Sequence, residues 1–178
     1  MESHASYRID MAPTPWSGQL AMAACPGMRS SPQADEDALS GDVARIAALG
    51  CRVVITLLDG AELQRLGASD LGTLLVFHGI VWHQLPVADF GVPGATVTAR
   101  WLSLLPALRE VLDSGPMLIH CAHGKGRTGT LAATLFTEWG WTADAAIAHV
   151  RQHRPGAIET PGQEAYVRSF AAARASGG

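Results

Sequence analysis

Residues 120–129 (HCAHGKGRTG) combine residue types that can do chemistry on an anion. Cys121 is a nucleophile when it is a thiolate, and Arg127 can donate two parallel hydrogen bonds to two oxygens of a phosphate group. Gly124 and Gly126 allow the backbone to curl, so that successive amide N–H groups converge on one point. These residue types at this spacing predict a phosphate site in which Cys121 attacks and Arg127 binds.

The elements predicted on either side of this turn favour the same chemistry. Met117 to His120 is a short apolar strand, and a helix is predicted from Thr128 to Trp139. The helix N-terminus directs unpaired N–H groups and the positive end of its dipole at the turn, which favours the thiolate form of Cys121. An isolated cysteine is more often a packed structural thiol, but the complete pattern between a strand and a helix favours a nucleophile.

Two other glycine-rich motifs fit the same residues less well. Residues 124–129 match the dinucleotide fingerprint GxGxxG, but that fold continues with further strand–helix units, and only helices are predicted after this point. A nucleotide-binding P-loop has Ser or Thr directly after Gly-Lys, and here Gly126 follows Lys125. Neither motif accounts for a cysteine and an arginine within the turn.

Strands and helices alternate along the chain, which predicts an α/β fold with a central, mostly parallel sheet of four to five strands flanked by helices. The predicted strands are 19–24, 52–58, 80–85 and 117–120, and the longer predicted helices are 37–49, 96–112, 128–139, 143–153 and 161–173. A kink or break is expected at Pro106, inside the second of these helices. Residues 1–17 are predicted to be a flexible N-terminal arm, because Pro13 and Pro15 disfavour regular structure, and 18–178 a single domain.

Composition excludes several classes of function. The 178 residues carry a net charge of −3, so nothing in the overall charge favours nucleic acid, and an anion site must be local. The three cysteines Cys25, Cys51 and Cys121 show no metal-ligand spacing, so neither a metal nor another cofactor is expected. Their odd number is not typical of a disulfide framework, so a reducing cytoplasm is the expected location. No apolar run is long enough to span a bilayer, which predicts no stable membrane insertion.

The sequence resembles the protein tyrosine and dual-specificity phosphatases, and its layout is similar to their kinase-associated (cyclin-dependent kinase inhibitor 3-like) branch. HCxxGxGRTG is the signature loop of that superfamily, and LPVADFGVP at 85–93 and RPGAIETPGQEAYV at 154–167 extend the resemblance. The resemblance implies hydrolysis of phosphate monoesters in proteins, on tyrosine and also on serine or threonine, through a phosphocysteine intermediate. It also implies phosphorylated proteins as substrates and a protein kinase as a partner.

The resemblance assigns roles to further residues. Asp89, on a proline-bounded loop that suits closure over substrate, is the expected acid that protonates the leaving group and later accepts a proton from water. Thr128 has the position of a hydroxyl that helps the cysteine leave, and it is also a candidate N-cap of its helix. Gln163 matches a glutamine that positions the hydrolytic water. His120 is expected to orient the loop.

The remaining loop residues, Ala122, His123, Gly124, Lys125 and Gly126, are expected to bind the phosphate. His123 and Lys125 make the loop basic, as in phosphoinositide phosphatases, so a phospholipid or inositol phosphate is the alternative substrate. A non-catalytic phospho-binding module and a rhodanese-like sulfur carrier fit less well, because Asp89 and Arg127 accompany the cysteine. Under oxidant, Cys25 or Cys51 could form a disulfide with Cys121 if either is near enough, although packing is the commoner role of a free cysteine.

Overall fold

The structure, a computed structural model, describes residues 7–28 and 37–176. Over these residues five strands form one sheet in the order β1-β2-β5-β3-β4. They are β1 (Ile9–Pro13), β2 (Gln19–Ala23), β3 (Val53–Thr56), β4 (Val81–Gln84) and β5 (Met117–His120). β1 runs antiparallel to β2, and the other neighbours pair in parallel. The predicted α/β class and the mostly parallel sheet are confirmed.

Helices flank the sheet, and most of their ends lie close to the predicted positions. They are α1 (Ala38–Ala48), α2 (Gly60–Arg65), α3 (Leu71–Phe77), α4 (Ala95–Ser114), α5 (Gly126–Glu138), α6 (Ala143–His153) and α7 (Pro161–Ser176). None of these described helices is both long and apolar enough to cross a membrane.

Two helices differ from the prediction. α4 continues through Pro106, so the break is absent, and the kink that was its alternative stays a prediction. Proline removes a single backbone hydrogen bond, and apolar side chains buried before and after it, such as Trp101 and Leu108, hold both halves of the helix against the core. α5 begins at Gly126, two residues before the predicted start, so Thr128 lies inside the helix and its predicted N-cap role is wrong.

The predicted N-terminal arm is also wrong over its described part. β1 occupies residues 9–13 and pairs with β2 from Ile9↔Ala23 to Pro13↔Gln19. Pro13 is the last residue of a strand at the edge of the sheet, where its missing N–H costs no ladder hydrogen bond. Residues 1–6 lie outside the described residues, and the boundary of a single domain at residue 18 stays a prediction.

The register of the central strands fixes where the functional turn lies. β3 and β5 are buried at every position, because helices cover both faces of the sheet. His120 is paired with Thr56 on one side and with Ala23 on the other, so the carboxyl ends of β2, β3 and β5 lie at one edge. Ligands of open α/β sheets bind beyond this edge. The segments that follow these strands therefore form the surroundings of Cys121.

Candidate active site

Residues 121–125, called the phosphate loop after the ligand that the sequence predicts for them, connect β5 directly to α5. Cys121 follows the last residue of β5 and is only 3% exposed, while α5 begins five residues later at Gly126. Gly124 has a φ of 67°, in the left-handed region that favours glycine, and a β-carbon there would overlap the carbonyl group of Ala23. Glycine at 124 is therefore required both by the curl of the turn and by the close approach of β2.

Arg127 lies in the first turn of α5 and joins three segments. Its Nη1 donates to both carboxylate oxygens of Glu62 (2.8 and 3.1 Å) and to the carbonyl oxygen of Val87 (2.9 Å). Its Nη2 lies 3.2 Å from Oδ1 of Asp89. The guanidinium side chain is only 2% exposed, so its orientation is fixed by these partners. The sequence-predicted phosphate ligand and the predicted acid are thus in contact.

Glu62 is a candidate site residue that the sequence analysis missed. It lies in the first turn of α2, where it forms a reciprocal capping box with Asp59: Glu62 N donates to Asp59 Oδ1 (2.7 Å) and Asp59 N donates to Glu62 Oε2 (3.2 Å). The same carboxylate accepts from Arg127. The Asp-x-x-Glu spacing after β3 was a visible signal for the cap, but nothing in the sequence indicated the ion pair across 65 residues.

Asp89 lies on the loop between β4 and α4, the acid loop (residues 85–94). Its side chain is 66% exposed, and its Oδ1 accepts a hydrogen bond from the N–H of Phe90 (3.1 Å) as well as pairing with Arg127. Phe90 has a φ of 55°, which is uncommon for a bulky residue and typical of strained turns at functional sites. This turn holds Asp89 beside Arg127, in the first turn of α5.

His120 is buried completely behind the loop in a chain of hydrogen bonds. Trp82 Nε1 donates to Thr56 Oγ1 (2.8 Å), and Thr56 Oγ1 lies 2.7 Å from His120 Nε2. The Cys121 carbonyl oxygen, 3.4 Å from Nδ1, can only accept, so in the neutral ring the proton lies on Nδ1 and Nε2 accepts from the Thr56 hydroxyl. Burial lowers the pKa of His120 to about 4. A neutral imidazole of fixed tautomer therefore supports the backbone of Cys121.

Stability should fall in mild acid because of this buried histidine. The unfolded chain binds a proton near the ordinary pKa of 6.5, whereas the folded protein resists protonation until about 4, so the stability that the neutral ring contributes is lost as pH falls through this window. The expected loss between about pH 7 and about pH 5 is on the order of 2 kcal/mol of unfolding free energy, measured by urea titration. His120→Asn should flatten the dependence, and the matched change at exposed His78 should not. Equal slopes in all three proteins would contradict this assignment.

The other predicted site residues border the loop. Thr128 is fully buried, and its Oγ1 has no hydrogen-bond partner among the described residues. Gln163 is also buried: its Oε1 accepts from the N–H groups of Glu159 (2.8 Å) and Thr160 (3.2 Å), and its Nε2 donates to the Gly91 carbonyl oxygen (3.1 Å). Gln163 thus ties the acid loop to the segment before α7. Its predicted water-positioning role stays a prediction.

The basic loop residues face outward. His123 and Lys125 are exposed, Ala122 is half-buried, and the Lys125 side chain passes close to Gly156. A carboxylate lies beside them, because a β-carbon at Gly126 would overlap Glu159 Oε2. The exposed residues Asp89, His123, Lys125 and Glu159 are called the rim of the site. The positive charge predicted for the loop is therefore countered by an acid that the sequence analysis did not assign.

Arg154 is a second functional candidate that the sequence analysis missed, although it lies in the RPGAIETPGQ segment. It follows α6 and is 7% exposed. Its Nε donates to the Gly124 carbonyl oxygen and its Nη2 to the His123 carbonyl oxygen, both at 2.9 Å. Its Nη1 donates to Asp10 Oδ2 in β1 (2.7 Å). One guanidinium thus connects the phosphate loop to the first strand.

The two remaining cysteines are buried and free. Cys25 is adjacent to the loop, since its N–H donates to the Ala122 carbonyl oxygen (2.9 Å). Cys51 lies just before the amino end of β3, at the end of the strands opposite the loop. Burial raises the pKa of each thiol to about 12, and for Cys25 the nearby Cys121 adds to the effect. Both side chains are thiols at neutral pH, so neither is a competing nucleophile.

Comparison with known proteins identifies the family. A family model described as "Swiss Army Knife protein, DSP-PTPase phosphatase domain" matches residues 30–167. The chain belongs to this family of dual-specificity and tyrosine phosphatase domains. The fold is similar to that of kinase-associated phosphatase, with a TM-score of 0.84 and 24% identity over 97% of this chain and 98% of that one. It is also similar to PTPMT1 in complex with PI(5)P, with a TM-score of 0.69 and 19% identity over 88% of this chain and 92% of that one.

Curated relatives agree at the level of sequence. Protein tyrosine phosphatase domain-containing protein 1 of Bos taurus is 36% identical over 108 residues, which is 60% of this chain and 13% of that protein. Tyrosine-protein phosphatase non-receptor type 2 of Mus musculus is 31% identical over 112 residues, covering 57% of this chain and 26% of that protein. The chain thus matches only about a quarter or less of the length of these relatives.

Proposed function

We propose that the protein hydrolyses phosphate monoesters in two steps. Cys121 Sγ attacks phosphorus while Asp89 gives its proton to the leaving oxygen, so that an S–P bond forms and the P–O bond breaks. Water then attacks the phosphocysteine, Asp89 accepts its proton, and the cysteine departs as thiolate beside the Thr128 hydroxyl. The observation that carries this proposal is the contact of Arg127 Nη2 with Asp89 Oδ1 (3.2 Å), which brings the predicted acid beside the arginine at the end of the turn that begins at Cys121.

The arrangement of Arg127 suits a charge that spreads over phosphate oxygens. Its Nη1 is committed to Glu62 and Val87, which leaves Nε and Nη2 to face two phosphate oxygens. Nη2 has two N–H groups, so it can donate to a phosphate oxygen and still lie beside Asp89 Oδ1. Glu62 holds the guanidinium in place before substrate arrives, so no reorganisation is needed when the transition state forms. Fixed donors of this kind stabilise a developing oxyanion more than mobile ones do.

Phosphotyrosine in proteins is the substrate that we propose first. Phe90, the neighbour of Asp89, exposes 62% of its surface, so its ring is available to pack against an aromatic leaving group. The rim also carries the carboxylates of Asp89 and Glu159, which disfavour a substrate with additional phosphates. Phosphoserine and phosphothreonine lack the ring and should be hydrolysed more slowly.

A phosphoinositide is the second candidate. The exposed Lys125 and His123 place positive charge on the loop, and the similar fold of PTPMT1 has been solved with PI(5)P. The bound phosphate would use the same loop and Cys121, so the candidates differ only in what the rim recognises.

A protein kinase partner and a cytoplasmic location belong to the proposal as well. The resemblance to the kinase-associated branch implies the partner, and composition implies the location.

A substrate panel separates the candidates. We expect kcat/KM for a phosphotyrosine peptide to exceed that for short-chain PI(5)P and for a phosphoserine peptide by about fivefold or more, since packing of one aromatic pair is worth roughly 1 kcal/mol beyond burial. Phe90→Ala should lower turnover of the tyrosine peptide and leave the serine peptide unchanged. Phe77→Ala, which removes an even more exposed ring on α3, is the matched control. A strong preference for the lipid would overturn the assignment to phosphotyrosine.

A further inference from the structure

The carbonyl groups of the phosphate loop need partners of their own. N–H and C=O groups of a peptide point in opposite directions, so a turn that directs its amides at a phosphate directs its carbonyls into the protein. Buried carbonyls require donors. Here the carbonyls of His123 and Gly124 both accept from the guanidinium of Arg154, each at 2.9 Å. The planar fork of arginine fixes the two peptide groups relative to each other, which lysine cannot do.

The guanidinium in turn depends on a carboxylate from a distant part of the chain. Arg154 has a side chain only 9% exposed, and its remaining donor, Nη1, contacts Asp10 Oδ2 at 2.7 Å. A buried cation without a counter-charge is strongly unfavourable. Asp10 is well placed to be ionised: burial would raise its pKa, but hydrogen bonds from Arg8 and Arg154 together hold that pKa below its ordinary value.

We propose that Asp10 and Arg154 are a pair of positioning residues that keeps the amides of the phosphate loop directed at the bound phosphate. Asp10 lies in β1, so the N-terminal hairpin is part of the support of the active site and does more than extend the sheet. The pair touches neither substrate nor Cys121; it acts through the backbone of residues 123 and 124. This inference rests on the proposed function, since it assumes that the loop binds the phosphoryl group.

The test measures oxyanion binding and turnover in Asp10→Asn and Arg154→Lys. Orthovanadate, which mimics the five-coordinate phosphorus, should bind roughly tenfold more weakly to Asp10→Asn and more weakly still to Arg154→Lys, and kcat/KM for p-nitrophenyl phosphate should fall in parallel. Because the acid loop is untouched, the dependence of rate on the leaving group should stay that of the wild type. The effects of the two changes should not add in the double variant, since both act through one guanidinium.

Asp144→Asn is the matched control. Asp144 lies at the start of α6, the helix that Arg154 follows, and it pairs with Arg168 at the surface, where it is 77% exposed. This variant should bind vanadate and turn over p-nitrophenyl phosphate as the wild type does. All measurements are made well below each variant's melting temperature, so that lost stability is not mistaken for lost positioning.

Two results would overturn the inference. One is a lower melting temperature in Asp10→Asn with unchanged vanadate affinity and kcat/KM, which would mean that the pair only stabilises the fold. The other is full additivity of the two changes. If Arg154→Lys does not fold, Asp10→Asn still decides, because it alters no atom of the loop. A wild type that binds vanadate but hydrolyses no phosphate monoester would contradict the proposed function and leave the positioning effect measurable by vanadate alone.

Discussion

Cys121→Ser is expected to abolish hydrolysis of p-nitrophenyl phosphate, with a loss of at least about 10⁴-fold in kcat, the order seen when a catalytic nucleophile is removed. A hydroxyl is far less acidic than a thiol, so serine is a poor nucleophile unless a base removes its proton. The wild type should also yield a phosphorylated enzyme on rapid acid quench, and the variant should not. Both proteins should still bind vanadate, because the loop and Arg127 are intact.

Cys51→Ser provides the matched control. Cys51 is buried like Cys121 but lies just before the amino end of β3, away from the phosphate loop. Its Sγ is 3.4 Å from the Val53 carbonyl oxygen, a hydrogen bond that a serine hydroxyl can also make. Its kcat should be that of the wild type. Normal turnover by Cys121→Ser would refute nucleophilic attack by Cys121. An inactive wild type that binds phosphopeptides would indicate the non-catalytic binding module instead.

The parts of the site that are contiguous in sequence could be predicted, because their spacing alone carries the chemistry. Residues 120–129 form one turn between a strand and a helix, and the structure brings Arg127 of that turn into contact with Asp89 of the acid loop. Glu62, Asp10 and Arg154 could not be found in this way. Their contacts span up to 144 residues, and each residue alone has the sequence appearance of an ordinary charged side chain.

The fold was predictable for similar reasons, and the prediction failed where tertiary contacts outweighed a local preference. The buried strand β3 is an unbroken apolar run, and the strand β5 leads directly into the glycine-rich turn. β1 was missed because Pro13 and Pro15 suggested an irregular arm. Pairing with β2 and the Asp10–Arg154 ion pair hold it in the sheet. α4 passes through Pro106 because burial on both sides of the proline exceeds the cost of one lost hydrogen bond.

Asp89→Asn is expected to lower kcat by about 10²- to 10³-fold for a phosphotyrosine peptide and by much less for p-nitrophenyl phosphate. The phenoxide of tyrosine is a strong base that leaves poorly without a proton, whereas p-nitrophenoxide leaves without help. Asparagine can still accept the hydrogen bond from Phe90 N and still lie beside Arg127, so KM should change little.

The contact of Asp89 with Arg127 allows a second explanation, and the leaving group distinguishes the two. If the carboxylate served only to hold the guanidinium, Asp89→Asn would slow both substrates equally. If it transfers a proton, the loss must grow with the basicity of the leaving group across a series of aryl phosphates. Asp70→Asn, which alters an exposed carboxylate at the start of α3, is the matched control and should match the wild type throughout. An equal loss across the series would therefore remove Asp89 from the chemistry, while its contact with Arg127 would remain as a binding role.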